Sequence, residues 1–181
     1  HVASGIAYRA VRNRGTIGGS IAHADPAGDW PAALLALGAE VVIDGPNGTR
    51  EMAIADFQID AFTVALEAGE ILRGFRVPIL SDAARWGYHK ISRKPGDFAD
   101  SIGAFVCDSR SGVARLVLGA TDGAPLQLNA IASTIAETNG AGFDIEAARA
   151  ALAETEEAFE PFKARMHALA LQRAVADAYK T

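Results

Sequence analysis

"RNRGTIGGSIAHADPAGDWPAALLALG" occupies residues 12–38. Two arginines precede a Thr-Ile pair, two adjacent glycines and a serine, and an alanine- and leucine-rich run follows Pro31. Adjacent glycines let backbone approach a ligand with no Cβ in the way. Successive N–H groups in such a turn can face an anion. Thr16, Ile17, Gly18, Gly19 and Ser20 therefore read as a phosphate loop, although a glycine pair also serves as a plain tight turn between core elements. The stretch is neither a dinucleotide-binding G-x-G-x-x-G after a strand nor a P-loop, since no lysine follows the glycines.

Outward from this stretch, residues 2–11 suit a short helix broken at Arg12–Gly15. PAALLAL at 31–37 predicts a helix with Pro31 in its first turn and Gly38 just past its end. AEVVI at 39–43 predicts a buried strand. Asp44-Gly45 and Asn47-Gly48 mark turns, and TREMAI at 49–54 is the returning strand of a hairpin. A helix or loop is expected over 55–61 and a strand over 70–78. ILSDAARWG at 79–87 reads as a linker. Three strands are expected in YHKISRK, SIGAFVC and GVARLVLGA. Helices follow at 126–137, at 145–157 with Asp144 as N-cap, and at 161–179. Phe162, Met166 and Leu169 share one face of the last helix by their i, i+4, i+7 spacing. Strands first and helices after is an α+β pattern.

The 181 residues are half hydrophobic and carry 17 Lys and Arg against 22 Asp and Glu, a net charge of -5. That balance argues against nucleic acid, which is bound through clustered cations. A single cysteine, Cys107, excludes an internal disulfide and fits a reducing, cytoplasmic setting. No apolar run has the length of a membrane span. The opening HVASGIAYRAVRNRG has no initiator Met and no cap signal, so a fragment or processed product is expected.

Four segments together resemble one family. RNRGTIGGSIAHADPAGDWPAALLALGAEV, ALEAGEILRGFRVP, YHKISRKPGDFADSIGAFV and FKARMHALALQRAV are similar, in order, to the FAD-binding medium subunit of the molybdenum hydroxylases. The similarity is to the aerobic carbon monoxide dehydrogenase type, and also to the flavin domain of xanthine dehydrogenases. It implies a second FAD-binding subdomain of the PCMH type over residues 1–81, with the family's first subdomain preceding it. Residues 82–181 would form a C-terminal α+β domain, a three-stranded antiparallel sheet with a helical bundle.

The resemblance also implies roles. FAD would meet Thr16, Ile17, Gly18, Gly19 and Ser20 with its phosphate and ribityl portions. His23 would contact the cofactor chain, Asp29 its sugar hydroxyls, and Leu72 would lie beside the isoalloxazine. As isolated residues, His23 also suits a cap or core hydrogen bond, Asp29 a cap for the helix after it, and Leu72 strand core. Tyr88 reads as a cross-strand aromatic, and Lys90, Arg93 and Lys94 as a solvated basic face. The xanthine dehydrogenase branch has a lysine nearer Asp100, which leaves the flavin-tuning cation unassigned. Arg12 and Arg14 suit a partner's acidic surface, cofactor phosphate or plain solvent. Cys107 reads as an inert buried thiol, Trp30 and Trp86 as packing residues. No side chain is expected to act as acid, base or metal ligand. The implied role is electron transfer, from [2Fe–2S] clusters of a small iron–sulfur subunit onto FAD and out to an acceptor. Substrate is handled by a molybdopterin large subunit, all within a hetero-oligomer. The alternative is a cofactor-free docking remnant that contacts the iron–sulfur subunit.

Overall fold

The computed structural model describes residues 1–180. Four helices open the chain: α1 (Val2–Gly5), α2 (Arg9–Arg12), α3 (Ile17–His23) and α4 (Asp29–Leu37). Residues 2–11 thus form two short turns of helix rather than one helix. Ala7 takes a positive φ of 40 between them, and Arg12 holds that bend by donating to the carbonyls of Ile6 (2.6 Å) and Ala7 (2.8 Å). Arg12 therefore acts on its own chain.

Helix α4 ends as the sequence predicts, with Gly38 in the left-handed region at φ 67. β1 (Glu40–Gly45), β2 (Gly48–Ala53) and β5 (Ile71–Arg76) make an antiparallel sheet in the order β2-β1-β5. Between β2 and β5 lie α5 (Ile54–Phe57) and a small hairpin of β3 (Gln58–Asp60) and β4 (Thr63–Val64). A second antiparallel sheet runs β6 (Arg85–Ile91), β7 (Ser101–Asp108), β8 (Val113–Gly119) and β9 (Leu126–Gln127). It contains the three expected strands plus a two-residue fourth, so the helix expected from 126 starts later. The chain closes with α6 (Asn129–Glu137), α7 (Ile145–Ala153) and α8 (Pro161–Ala178). Asp144 caps α7 as expected, accepting from the N–H groups of Glu146 and Ala147, but α7 stops at Ala153, short of the predicted 157.

β7 is buried along its whole length and shows how the layers stack. Alternate strand side chains point to opposite faces. Ile102, Ala104 and Val106 face one core with α4, β1 and α5; Phe105 and Cys107 face another with α6, α7 and α8. The second sheet is thus sandwiched between α4 and the closing helices, and the first core runs across the position where the sequence suggests a linker. That linker is also shorter than read, because Arg85 and Trp86 already pair with Cys107 and Val106.

Two expectations about packing fail. The buried face of α8 is His167, Ala168, Ala170, Leu171, Ala174, Val175 and Ala178, while Phe162 is 80% exposed. Met166 and Leu169 are only half-buried. The cause is close approach. A Cβ on Gly87 would stand 1.9 Å from the Ala174 carbonyl oxygen, and one on Gly103 2.3 Å from that of Ala170. A helix lying so near a sheet admits only small side chains at the contact. Trp86 is the second miss: it is half exposed rather than packed away.

Candidate functional site

Helix α3 grows directly from the glycine-rich stretch. Thr16 has extended backbone at its N-cap, and its Oγ1 accepts from the Gly19 N–H at 2.9 Å. TIGGS is thus the first turn of a helix rather than the loop that the glycine pair suggests. A Cβ on Gly19 would press on the Thr16 hydroxyl at 3.0 Å, whereas one on Gly18 would meet no heavy atom within 4 Å. Gly19 therefore protects the cap, and Gly18 leaves bare backbone facing open space. The Ser20 N–H is taken by the Thr16 carbonyl. The N–H groups of Ile17 and Gly18 open the helix, where no intrahelical acceptor exists.

The far end of α3 is fixed by backbone bonds. Ala24 ends the helix at a positive φ of 50, and its carbonyl accepts from Phe62. Pro26 and Ala27 accept from Ala120, just after β8, and Ala99, just before β7. Asp25 turns the chain here as read from sequence, accepting from the Ala27 N–H. The exit of α3 is thus held by the β3–β4 turn and by the ends of β7 and β8.

Thr16, Ile17, Gly19, Ser20 and His23 line one groove of about 640 Å³, together with Arg14, Val11 and Trp30, while Gly18 does not line it. Its walls are apolar while hydroxyl, backbone and guanidinium groups lie along α3 and its approach. His23 is exposed, and its ring centroid stands 5.1 Å from that of Phe62. Leu72 lies elsewhere. It pairs with Ile43 in the first sheet and packs on the first core, half-buried.

Asp29 also lies outside the groove. Gly28 is the N-cap of α4, and the Asp29 side chain caps nothing. It is 8% exposed. Tyr88 Oη donates to Asp29 Oδ1 at 2.7 Å, and Lys90 Nζ sits 3.0 Å from Oδ1 and 3.1 Å from Oδ2. Burial first, then the Asp29 charge, pushes the Tyr88 phenol far above its ordinary value, so it stays a hydrogen-bond donor. The expected solvated basic face is therefore split. Arg93 and Lys94 are exposed and stand 3.8 and 3.9 Å from Asp97, while Lys90 is turned inward. These contacts join residues 59 and 61 positions apart, beyond the reach of any local pattern.

Residues 1–80 match the family described as the FAD binding domain in molybdopterin dehydrogenase. The chain is 40% identical over 125 residues to the carbon monoxide dehydrogenase medium chain of Hydrogenophaga pseudoflava, covering 68% of this chain and 43% of that one. Residues 1–80 belong to that FAD-binding domain family. The nicotine 6-hydroxylase medium subunit of Paenarthrobacter nicotinovorans is 37% identical over 121 residues, 65% of this chain and 42% of that one. Among solved structures, carbon monoxide dehydrogenase from H. pseudoflava matches with a TM-score of 0.80 at 34% identity, over 97% of this chain and 64% of that one. Quinoline 2-oxidoreductase from Pseudomonas putida 86 matches with a TM-score of 0.79 at 29% identity, over 98% and 65%. The chain spans less than half the length of these two curated relatives.

The groove fits the family's cofactor. The helix-opening N–H of Ile17, the Thr16 and Ser20 hydroxyls and the nearby Arg14 guanidinium make a donor set for a pyrophosphate. The apolar walls suit the ring portions of a dinucleotide. Among the described residues, no group of three or more His, Cys, Asp or Glu is placed to hold a metal ion.

Proposed function

We propose that this chain holds FAD in a molybdenum hydroxylase complex and helps carry electrons from a partner's [2Fe–2S] clusters to an external acceptor. The observation that carries the reading is the convergence of Thr16, Ile17, Gly19, Ser20 and His23 on one groove within the segment that matches the FAD-binding family. When bound, FAD supplies the redox chemistry by accepting and releasing electrons. The chain binds and orients. The N–H group of Ile17 and the Thr16 and Ser20 hydroxyls would hold the pyrophosphate, with Arg14 offsetting its charge. His23 and Trp30 would wall the chain of the cofactor, with the Phe62 ring beside that of His23. Leu72 would act from below, by keeping β5 seated on the core.

The partners follow from chemistry as well as from the relatives. A [2Fe–2S] cluster is ordinarily held by four cysteines, and this sequence has one. The iron–sulfur and molybdopterin centres would therefore sit on other subunits of a hetero-oligomer, in a reducing, cytoplasmic compartment. No helix among the described residues is long and apolar enough to cross a membrane.

The test is a titration of the 181-residue chain with FAD, followed by quenching of flavin fluorescence, with riboflavin as the comparison. We expect saturable uptake of FAD and much weaker uptake of riboflavin, which lacks the pyrophosphate. Equal affinity for both would remove the phosphate role from α3, and no uptake of FAD would overturn the cofactor reading.

A further inference from the structure

We infer that Asp29, Tyr88 and Lys90 form a latch that positions the wall of the α3 groove, and that Asp29 is a positioning residue rather than a ligand for the cofactor's sugar. The inference rests on the reading of the groove as the FAD site.

Three observations carry it. First, the Asp29 carboxylate is buried and already engaged. Both oxygens lie within hydrogen-bond reach of Lys90 Nζ, and Oδ1 accepts from Tyr88 as well. A buried carboxylate needs such partners, and these two supply a charge and a donor. Second, the partners come from β6 of the second sheet, on the strand face turned toward α4. Tyr88 and Lys90 alternate with Gly87 and His89, which face α8 instead. The latch thus clamps the start of α4 to the second sheet. Third, Lys90 Nζ also lies 3.3 Å from the carbonyl oxygen of Gly5. Gly5 sits between Ala3 and Ile6, and both of these line the α3 groove, as does Trp30, the neighbour of Asp29. One ammonium therefore ties the α1 wall and the Trp30 wall to a single strand. Lys90 is 13% exposed at its side chain, so water screens this arrangement little.

The prediction separates a latch from a direct sugar ligand. In the latch, Asp29→Asn and Lys90→Met each break the Asp29–Lys90 ion pair, and Lys90→Met also frees the Gly5 carbonyl, so the two losses overlap. Each single variant should weaken FAD binding roughly tenfold, and the double variant should fall well short of the roughly hundredfold loss that independent effects would give. Lys90→Arg, which keeps the charge within reach of Asp29, should retain most of the affinity. A direct ligand behaves differently: Asp29→Asn loses affinity while Lys90→Met stays near the parent chain.

The experiment is a double-mutant cycle on the 181-residue chain with two readouts, FAD affinity and amide hydrogen exchange over residues 2–7 without FAD. Faster exchange in Lys90→Met and Asp29→Asn, with non-additive loss of affinity, supports the latch. Unchanged exchange overturns it, as does loss of affinity confined to Asp29→Asn. Melting temperatures that fall while FAD affinity and exchange over 2–7 hold would show plain structural packing and also overturn it. If the parent chain takes up no FAD, the functional reading fails on its own, and the exchange measurement still decides whether the latch holds the α1 wall.

Discussion

A methyl group on Gly87 would stand 1.9 Å from the Ala174 carbonyl oxygen and 2.9 Å from its carbonyl carbon. Backbone cannot rotate away as a side chain can, so Gly87→Ala must push α8 off the sheet. We expect a loss of about 3 kcal/mol or more in urea unfolding. Gly18→Ala should behave oppositely. Its new methyl meets open space, and alanine is the better helix former, so stability should hold or rise by about 0.5–1 kcal/mol. FAD affinity should stay near the parent value, because Gly18 does not line the groove, whereas Gly19 does. A clear loss of affinity in a Gly18→Ala chain that remains as stable as its parent would place Gly18 in the site after all. The sequence carries half of this. The glycine pair announces a special backbone, but only the fold decides that Gly19 serves both the cap and the groove while Gly18 faces open space. Asp29 shows the same limit. Its acidity and position before Pro31 are visible, whereas Tyr88 and Lys90 reach it only through the fold.

At the level of elements, α3 depends on its cap. The Thr16 side chain accepts one of the helix's first N–H groups. Thr16→Ala should cost about 1 kcal/mol and speed hydrogen exchange at Gly19, while Thr16→Ser should keep both near the parent values. Equal exchange at Gly19 in the alanine variant would mean that the hydroxyl bond does not hold the turn. TIGGS reads as a loop in sequence because Ile, Gly and Gly are poor helix formers, and only the cap and the packing of Ile21 in the core override that preference. α8 fails for the opposite reason. Periodicity weighs large apolar residues, so it selects Phe162 and Met166. The contact with Gly87 and Gly103 selects Ala170, Ala174 and Ala178, whose small size is the requirement. The central strands were easy to read, because β7 is buried on both faces and its apolar run is nearly unbroken.

At the scale of the molecule, the two sheets are joined through the first core, and the second core carries a buried titratable group. His167 is fully buried. The Ser101 hydroxyl lies 2.7 Å from its Nδ1, Nε2 has no partner among the described residues, and the Phe159 ring lies 4.9 Å away. Burial, followed by the charge of Lys163, lowers its pKa from 6.5 to about 4, against a smaller opposing pull from Asp122. The unfolded chain takes up this proton near 6.5 and the folded chain near 4. Between those values the unfolded state binds more protons, so stability falls as pH falls, by up to about 3 kcal/mol. Asp108, held to about 2 by the Ser81 N–H and hydroxyl, and Glu70, held to about 2 by Arg50, act lower. Their contributions are present above their ordinary values of 3.8 and 4.5 and are lost as pH falls toward about 2. Urea unfolding from pH 8 to pH 3 should therefore show a plateau above 6.5, a decline to 4 and a further decline below. His167→Gln keeps an acceptor for Ser101 and removes the titration, so the decline between 6.5 and 4 should flatten while the lower one persists. His89, also lowered by burial, is the control: a slope that survives His167→Gln and vanishes in His89→Gln would move the switch from the core to the α8 surface.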